Sequence, residues 1–163
     1  MIAEELATRL LEAAKARGAM VTTAESCTGG MLGAAITDIA GSSAVFERGF
    51  LTYTNAAKEE MLGVSAATLS AHGAVSEEVA REMAAGALAR SHADLAVAIT
   101  GIAGPGGSDN KPEGRVCFGL AQTNAPLHAE TTDFGPLGRS AVRQFSVQNA
   151  LMLLIEALET PRA

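Results

Sequence analysis

A three-layer α/β/α domain with a mixed central sheet is the fold this sequence predicts. Three observations carry that prediction. Amphipathic helical stretches alternate with short β-branched runs through the first two thirds of the chain. One run, "ADLAVAITG" at 93–101, is almost continuously apolar, as a strand covered on both faces must be. Two late strand patterns, "RVCFGLAQT" and "LHAETTDF", are separated only by Asn124, Ala125 and Pro126, which makes a hairpin and so an antiparallel component. A βα-rich start, a hairpin and a closing helix together specify a mixed sheet between helical layers. The 163 residues suit a single domain over 1–163 with a real core.

The elements follow in order. Ile2, Leu6, Leu10, Leu11 and Ala14 recur at helical spacing over 2–17, with Gly18 as the stop. "AMVTTAE" is a short strand. "TGGMLGAAITDIAG" suits a helix from near Gly30 to Gly41, and "SAVFERGFLTYT" a strand. Asn55 is a suitable N-cap for "AAKEEMLG". A polar connection containing His72 and Gly73 leads to Ser76, which caps a helix running to about Ser91, with Glu77 and Glu78 in its first turn. After the buried strand comes a long Gly/Pro/Asp/Asn loop, 102–114, then the hairpin. The last helix carries an apolar stripe through Val142, Phe145, Ala150, Leu153, Leu154 and Leu158.

Composition excludes several functions. A net charge of −6 argues against a general nucleic-acid binder. No apolar run is long enough to span a bilayer and no signal pattern opens the chain, so a cytoplasmic protein without membrane contact is expected. Two cysteines and three scattered histidines offer neither a disulfide framework nor metal-ligand spacing, so no metal or other cofactor is expected. The abundance of small residues and the long apolar last helix suit a homodimer.

The stretch "VTTAESCTGG" at 21–30 raises the chemical question. It places Ser26, Cys27, Thr28, Gly29 and Gly30 where a strand ends and a helix begins, the edge at which open α/β sheets bind ligands. Three readings are open: a polar capping turn, an anion cradle of backbone N–H groups, or a nucleophile on a bend. The run is neither a Walker A loop nor a dinucleotide fingerprint. If Ser26 is a nucleophile it needs a base, and no histidine falls in a matching stretch. A lysine of lowered pKa is the other base for serine. With Asn55 as cap, Lys58 falls at the third helical position, where the dipole opposes a cation, and burial would favour the neutral amine further. The bland alternative is a solvated lysine. Tyr53, the single tyrosine, lies just upstream. "ITGIAGPGG" opens a second glycine-rich edge with Thr100, Gly101, Gly104 and Gly106. Arg139 and Arg143 lie one turn apart at the start of the last helix, available to an anion or to surface carboxylates.

The segments "TTAESCTGG", "ITDIAGSSAVFERGFLTYTNAAKEEMLGV", "HGAVSEEVA" and "ITGIAGPGG…KPEGRVCFGLA" resemble the CinA C-terminal domain family, over about residues 5 to 158 and in the same order. That family includes stand-alone bacterial nicotinamide-nucleotide amidases, and the resemblance is to this short form, without the N-terminal domain of full-length CinA proteins. It implies an α/β/α fold, no metal, and hydrolysis of nicotinamide mononucleotide to nicotinate mononucleotide and ammonia, which recycles a by-product of NAD consumption. The family's serine falls on Ser26, and its tyrosine and lysine on Tyr53 and Lys58. The implied mechanism has Ser26 attacking the carboxamide, neutral Lys58 taking its proton and passing it to ammonia, and Tyr53 holding the pair. Backbone N–H groups from Cys27 to Gly30 receive the oxyanion, and Lys58 serves again as base when water hydrolyses the acyl-enzyme. The phosphate is expected at Thr28, Gly29 or the loop from Thr100 to Gly106, with Arg139. Some members of the family are known only as competence- or damage-inducible proteins. A non-catalytic nucleotide-binding regulatory module is therefore the alternative, and an amidase for another small amide a third reading.

Overall fold

The structure, a computed structural model, describes residues 2–161. Five strands form one sheet in the order β2-β1-β3-β4-β5: β1 Val21–Glu25, β2 Phe46–Leu51, β3 Leu95–Gly101, β4 Arg115–Gln122 and β5 His128–Asp133. β1 runs parallel to β2 and β3, whereas β3 pairs antiparallel with β4, and β4 with β5. The sheet is mixed and helices cover both faces, as expected. The apolar "LAVAIT" run occupies the central strand.

Alternation along β3 divides the core in two. Leu95, Val97 and Ile99, with Val116, Phe118 and Leu120 of β4, pack under α1 (Ile2–Arg17), α2 (Met31–Thr37) and α6 (Arg139–Glu159). Ala96 and Ala98, with Ala24 and Ala121, face α3 (Asn55–Leu62), α4 (Ala66–His72) and α5 (Glu77–Ala89). Large side chains fill one layer, and small ones let the other helices come close. A Cβ on Gly119 of β4 would stand 2.2 Å from the Ala80 carbonyl oxygen of α5, and one on Gly86 of α5 would stand 2.0 Å from the Leu62 carbonyl oxygen of α3. Both neighbours are backbone, so only helix displacement would relieve the clash. Gly86→Ala should therefore destabilise the fold by about 1–3 kcal/mol, read as a lower denaturant midpoint at unchanged slope.

Several local expectations need correction. The helix expected to reach Gly41 ends at Thr37, and a 3-10 turn at Ser42–Ala44 precedes β2, which is shorter than "SAVFERGFLTYT". The polar connection before Ser76 contains α4. Ser65 caps it by accepting from the Ala67 N–H, and His72 ends it rather than standing in a loop. Its one buried residue, Leu69, gave too little periodicity to mark a helix. Phe145 is 43% exposed, off the buried stripe of α6, and stacks on Phe134 with centroids 6.0 Å apart. The cap of α3 is Thr54, not Asn55: its hydroxyl accepts from the Ala57 N–H at 3.1 Å. Lys58 is thereby the fourth helical residue, and its N–H already bonds the Thr54 carbonyl.

Because β1, β2 and β3 are parallel, residues 26, 52–53 and 101–107 all emerge at one edge of the sheet. β5, antiparallel to β4, ends at that same edge, so α6 begins there. This topology brings segments distant in sequence together. No helix among the described residues is long and apolar enough to cross a membrane.

Candidate active site

Ser26 follows β1 directly. Its N–H bonds the Ile99 carbonyl of β3 at 3.0 Å, and its carbonyl accepts the Gly29 N–H at 3.0 Å, closing a tight turn. The side chain is held at the mouth of a cavity of about 230 Å³ lined by Ser26, Cys27, Tyr53, Lys58, Thr100 and Arg139, among others.

Lys58 projects from the first turns of α3 back under β2. It is 1% exposed. Its Nζ lies 2.9 Å from Ser26 Oγ, 3.0 Å from the Thr52 carbonyl oxygen and 3.4 Å from that of Tyr53. Burial with no carboxylate partner lowers its pKa from 10.5 to about 8. A neutral amine has two N–H donors and one lone pair. Two carbonyls and one hydroxyl complement it: the N–H groups go to Thr52 and Tyr53, and the lone pair accepts from Ser26. The protonated form instead donates to all three, and the Ser26 hydroxyl can then turn to the Tyr53 carbonyl 3.4 Å away. The site therefore accommodates the lysine in either protonation state, with only a rotation of the Ser26 hydroxyl. Burial, rather than the helix dipole invoked from an Asn55 cap, is the main cause of the lowered pKa.

Tyr53 contributes differently from expectation. The residue is 55% exposed; its backbone carbonyl touches the Ser26–Lys58 pair, while its hydroxyl accepts from Arg139 Nη2 at 3.0 Å. Arg139 also donates to the Gly104 carbonyl at 2.9 Å, tying the loop after β3 to the mouth of the cavity. Cys27 is buried, and loss of hydration pushes its thiol up to about 11, so it is neutral and a poor nucleophile near pH 7.

The remaining expected residues divide. Thr28 is buried with its hydroxyl donated to Glu25 at 2.6 Å, and neither it nor Gly29 nor Gly30 lines the Ser26 cavity. The Thr28 hydroxyl is therefore unavailable to substrate, which leaves the turn only its backbone N–H groups. Thr100 and Gly101 do line it, although the Thr100 hydroxyl is already donated to the Ala74 carbonyl at 2.8 Å. Gly104 and Gly106 line an adjoining cavity of about 310 Å³ that shares Ala74, Val75, Gly101, Ala103 and Arg139 with the first. The Gly106 N–H is taken by the Glu113 carboxylate. Lys111, on the far side of this second cavity, donates to the carbonyls of His72 at 2.7 Å and Val75 at 2.6 Å.

Lys111 and Glu25, outside the expected set, and Arg143, expected only to meet an anion or surface carboxylates, complete the arrangement. The buried Glu25 carboxylate accepts from Thr28 Oγ1, from the Leu32 N–H at 2.9 Å and from the Gly33 N–H at 3.0 Å, occupying the first turn of α2. Arg143 donates through Nε to the Cys27 carbonyl at 3.0 Å and through Nη2 to the Thr28 carbonyl at 3.3 Å. A glutamate ending an otherwise uncharged buried strand just before a helix was the available signal for Glu25. Among the described residues no three His, Cys, Asp or Glu side chains converge to hold a metal ion.

Comparison with known proteins gives a consistent result. The profile of the CinA C-terminal domain matches residues 3–158. The nicotinamide-nucleotide amidohydrolase PncC of Escherichia coli K12 is 54% identical over 151 residues, covering 92% of this chain and 91% of that protein. The PncC of Enterobacter agglomerans is 53% identical over 157 residues, covering 93% and 95%. Among solved structures, the competence/damage inducible protein CihA from Agrobacterium tumefaciens superposes with a TM-score of 0.94 at 50% identity, covering 98% of this chain and 97% of that one. The chain belongs to the CinA C-terminal domain family.

Proposed function

We propose that this protein hydrolyses the carboxamide of nicotinamide mononucleotide to nicotinate mononucleotide and ammonia. The observation that carries the reading is the buried Lys58 amine, 2.9 Å from Ser26 Oγ, with a pKa near 8. Ser26 attacks the carboxamide carbon as Lys58 takes the hydroxyl proton. The tetrahedral intermediate collapses, the C–N bond breaks and Lys58 gives its proton to the departing ammonia. Water then enters, Lys58 again accepts a proton, and the acyl-Ser26 ester is hydrolysed. Close relatives named nicotinamide-nucleotide amidohydrolase support the choice of substrate.

The two contiguous cavities suit the two ends of that substrate. The lobe at Ser26 takes the pyridine carboxamide. The adjoining lobe takes the ribose phosphate, with Arg139 and Lys111 as its cations. The primary test is ammonia release from the mononucleotide by the purified protein. Binding without turnover would leave the regulatory module as the better reading. Nicotinamide riboside, which lacks the phosphate, should be the poorer substrate. Lys111→Met should cost roughly tenfold in kcat/KM on the mononucleotide, the worth of one hydrogen bond to a charged group, and little on the riboside. Equal losses on both substrates would remove Lys111 from the phosphate site.

A further inference from the structure

Arg143 lies outside the Ser26 cavity, yet it holds the turn on which Ser26 sits. We infer that Arg143 is a positioning residue: by gripping the carbonyls of Cys27 and Thr28 it fixes the turn that presents its free backbone N–H groups, that of Cys27 first, to the oxyanion formed on attack by Ser26. The inference rests on the amidase reading and specifies which donors serve it.

The geometry of the trans peptide supplies the argument. Carbonyl and N–H of one peptide unit point in opposite directions. The Ser26 carbonyl is turned inward to the Gly29 N–H, so the Cys27 N–H is turned out of the turn. The Cys27 carbonyl is held by Arg143 Nε, so the Thr28 N–H points away from the guanidinium. Neither N–H has a hydrogen-bond partner among the described residues. Most competing donors are engaged: the Gly29 N–H serves the Ser26 carbonyl, the Met31 N–H the Thr28 carbonyl, and the Leu32 and Gly33 N–H groups Glu25, while the Gly30 N–H, like those of Cys27 and Thr28, has no partner among the described residues. The donors nearest Ser26 in the chain are therefore those of the turn, and Cys27, which lines the cavity, is the first of them. A cation bonded to the Cys27 carbonyl also polarises that peptide unit and makes the Thr28 N–H a better donor.

Gly29 fits the same scheme. Its φ of +58° closes the turn, and a Cβ there would lie 3.3 Å from Arg143 Nη2. Glu25 fastens the opposite side of the turn through Thr28 Oγ1. The turn is thus held between a carboxylate ending β1 and a guanidinium on α6, residues at opposite ends of the chain.

The test is steady-state hydrolysis of nicotinamide mononucleotide by the wild type, Arg143→Lys and Arg143→Met, with the thermal midpoint of each recorded. Two ligands accompany it: nicotinate mononucleotide as a ground-state ligand, and the nucleotide with an aldehyde in place of the carboxamide. That aldehyde adds Ser26 Oγ and presents an oxyanion. Oxyanion donors are worth on the order of 10²-fold or more in kcat. Arg143→Met should lose about that much in kcat with KM nearly unchanged, weaken aldehyde binding in parallel, and bind nicotinate mononucleotide as before. Arg143→Lys, which can hold one carbonyl but not the paired geometry, should recover part of the loss. A loss confined to KM, equal weakening of both ligands, or activity that follows the thermal midpoint alone would overturn the inference while leaving the amidase reading intact. A wild type inert on the mononucleotide would overturn the reading and the inference together.

Discussion

Ser26→Ala is expected to lower kcat for ammonia release by about 10⁴-fold or more, the usual consequence of removing a nucleophile that works as a unit with its base. The fold should be nearly untouched. Ser26 is 8% exposed, its backbone N–H still bonds Ile99, and the methyl occupies less room than the hydroxymethyl it replaces. Affinity for nicotinate mononucleotide should persist, because the cavity walls are unchanged. Cys27→Ala separates the two neighbouring nucleophiles. It keeps the backbone N–H and removes only a buried, protonated thiol, so turnover should stay within about an order of magnitude of the wild type. Ammonia assay and thermal midpoint on the same preparations decide the matter. Substantial turnover by Ser26→Ala, or abolition by Cys27→Ala alone, would mean that Ser26 is not the attacking residue.

Much of this site was legible in the sequence because it is local in chain order. A strand running into Ser26 and a helix start carrying Lys58 can each be read within a short window, and parallel strand topology brings them to one edge. The central position of β3 was legible for the same reason, since its run of small and branched apolar residues has no polar face. What was not legible depends on orientation and distance. The sequence places Tyr53 near Lys58, but only the structure shows that its carbonyl faces Lys58 and its hydroxyl faces Arg139. Thr28 and Gly29 sit in the right motif, yet the hydroxyl of one is consumed by Glu25 and the other makes room for a guanidinium. Arg139 and Arg143 look equivalent as a pair one turn apart. One reaches the cavity mouth and the other the back of the turn, a difference set by where the last helix crosses the sheet edge. The short helix α4 was hidden because a single buried leucine makes no pattern.

Lys58 carries the strongest pH dependence in the site, and it acts on rate and stability together. Only the neutral amine can accept the Ser26 proton, so kcat/KM should rise about tenfold per pH unit below 8 and level off above it. Lys58→Arg should be inactive despite its size and charge, because a guanidinium is never deprotonated in this range. Stability follows the opposite logic to a salt-bridged lysine. The folded pKa, about 8, lies below the ordinary lysine value of 10.5 that holds in the unfolded chain. Below pH 8 both states hold the proton, and the fold bears the full cost of a buried ammonium. Between pH 8 and 10.5 the unfolded state binds more protons than the folded one, so stability rises with pH. Above 10.5 both are neutral and the cost is gone. A displacement of this size corresponds to at most about 3 kcal/mol. Lys58→Met has no group to titrate here, though it leaves the Thr52 and Tyr53 carbonyls without their donor. Its stability relative to the wild type should therefore be highest at neutral pH and fall by up to about 3 kcal/mol as the pH rises past the unfolded value, as read from urea midpoints across that range. A flat rate profile, an active Lys58→Arg, or a stability difference that does not move with pH would each remove the neutral amine from the mechanism. The cost of keeping that amine dry at neutral pH is what makes it a base.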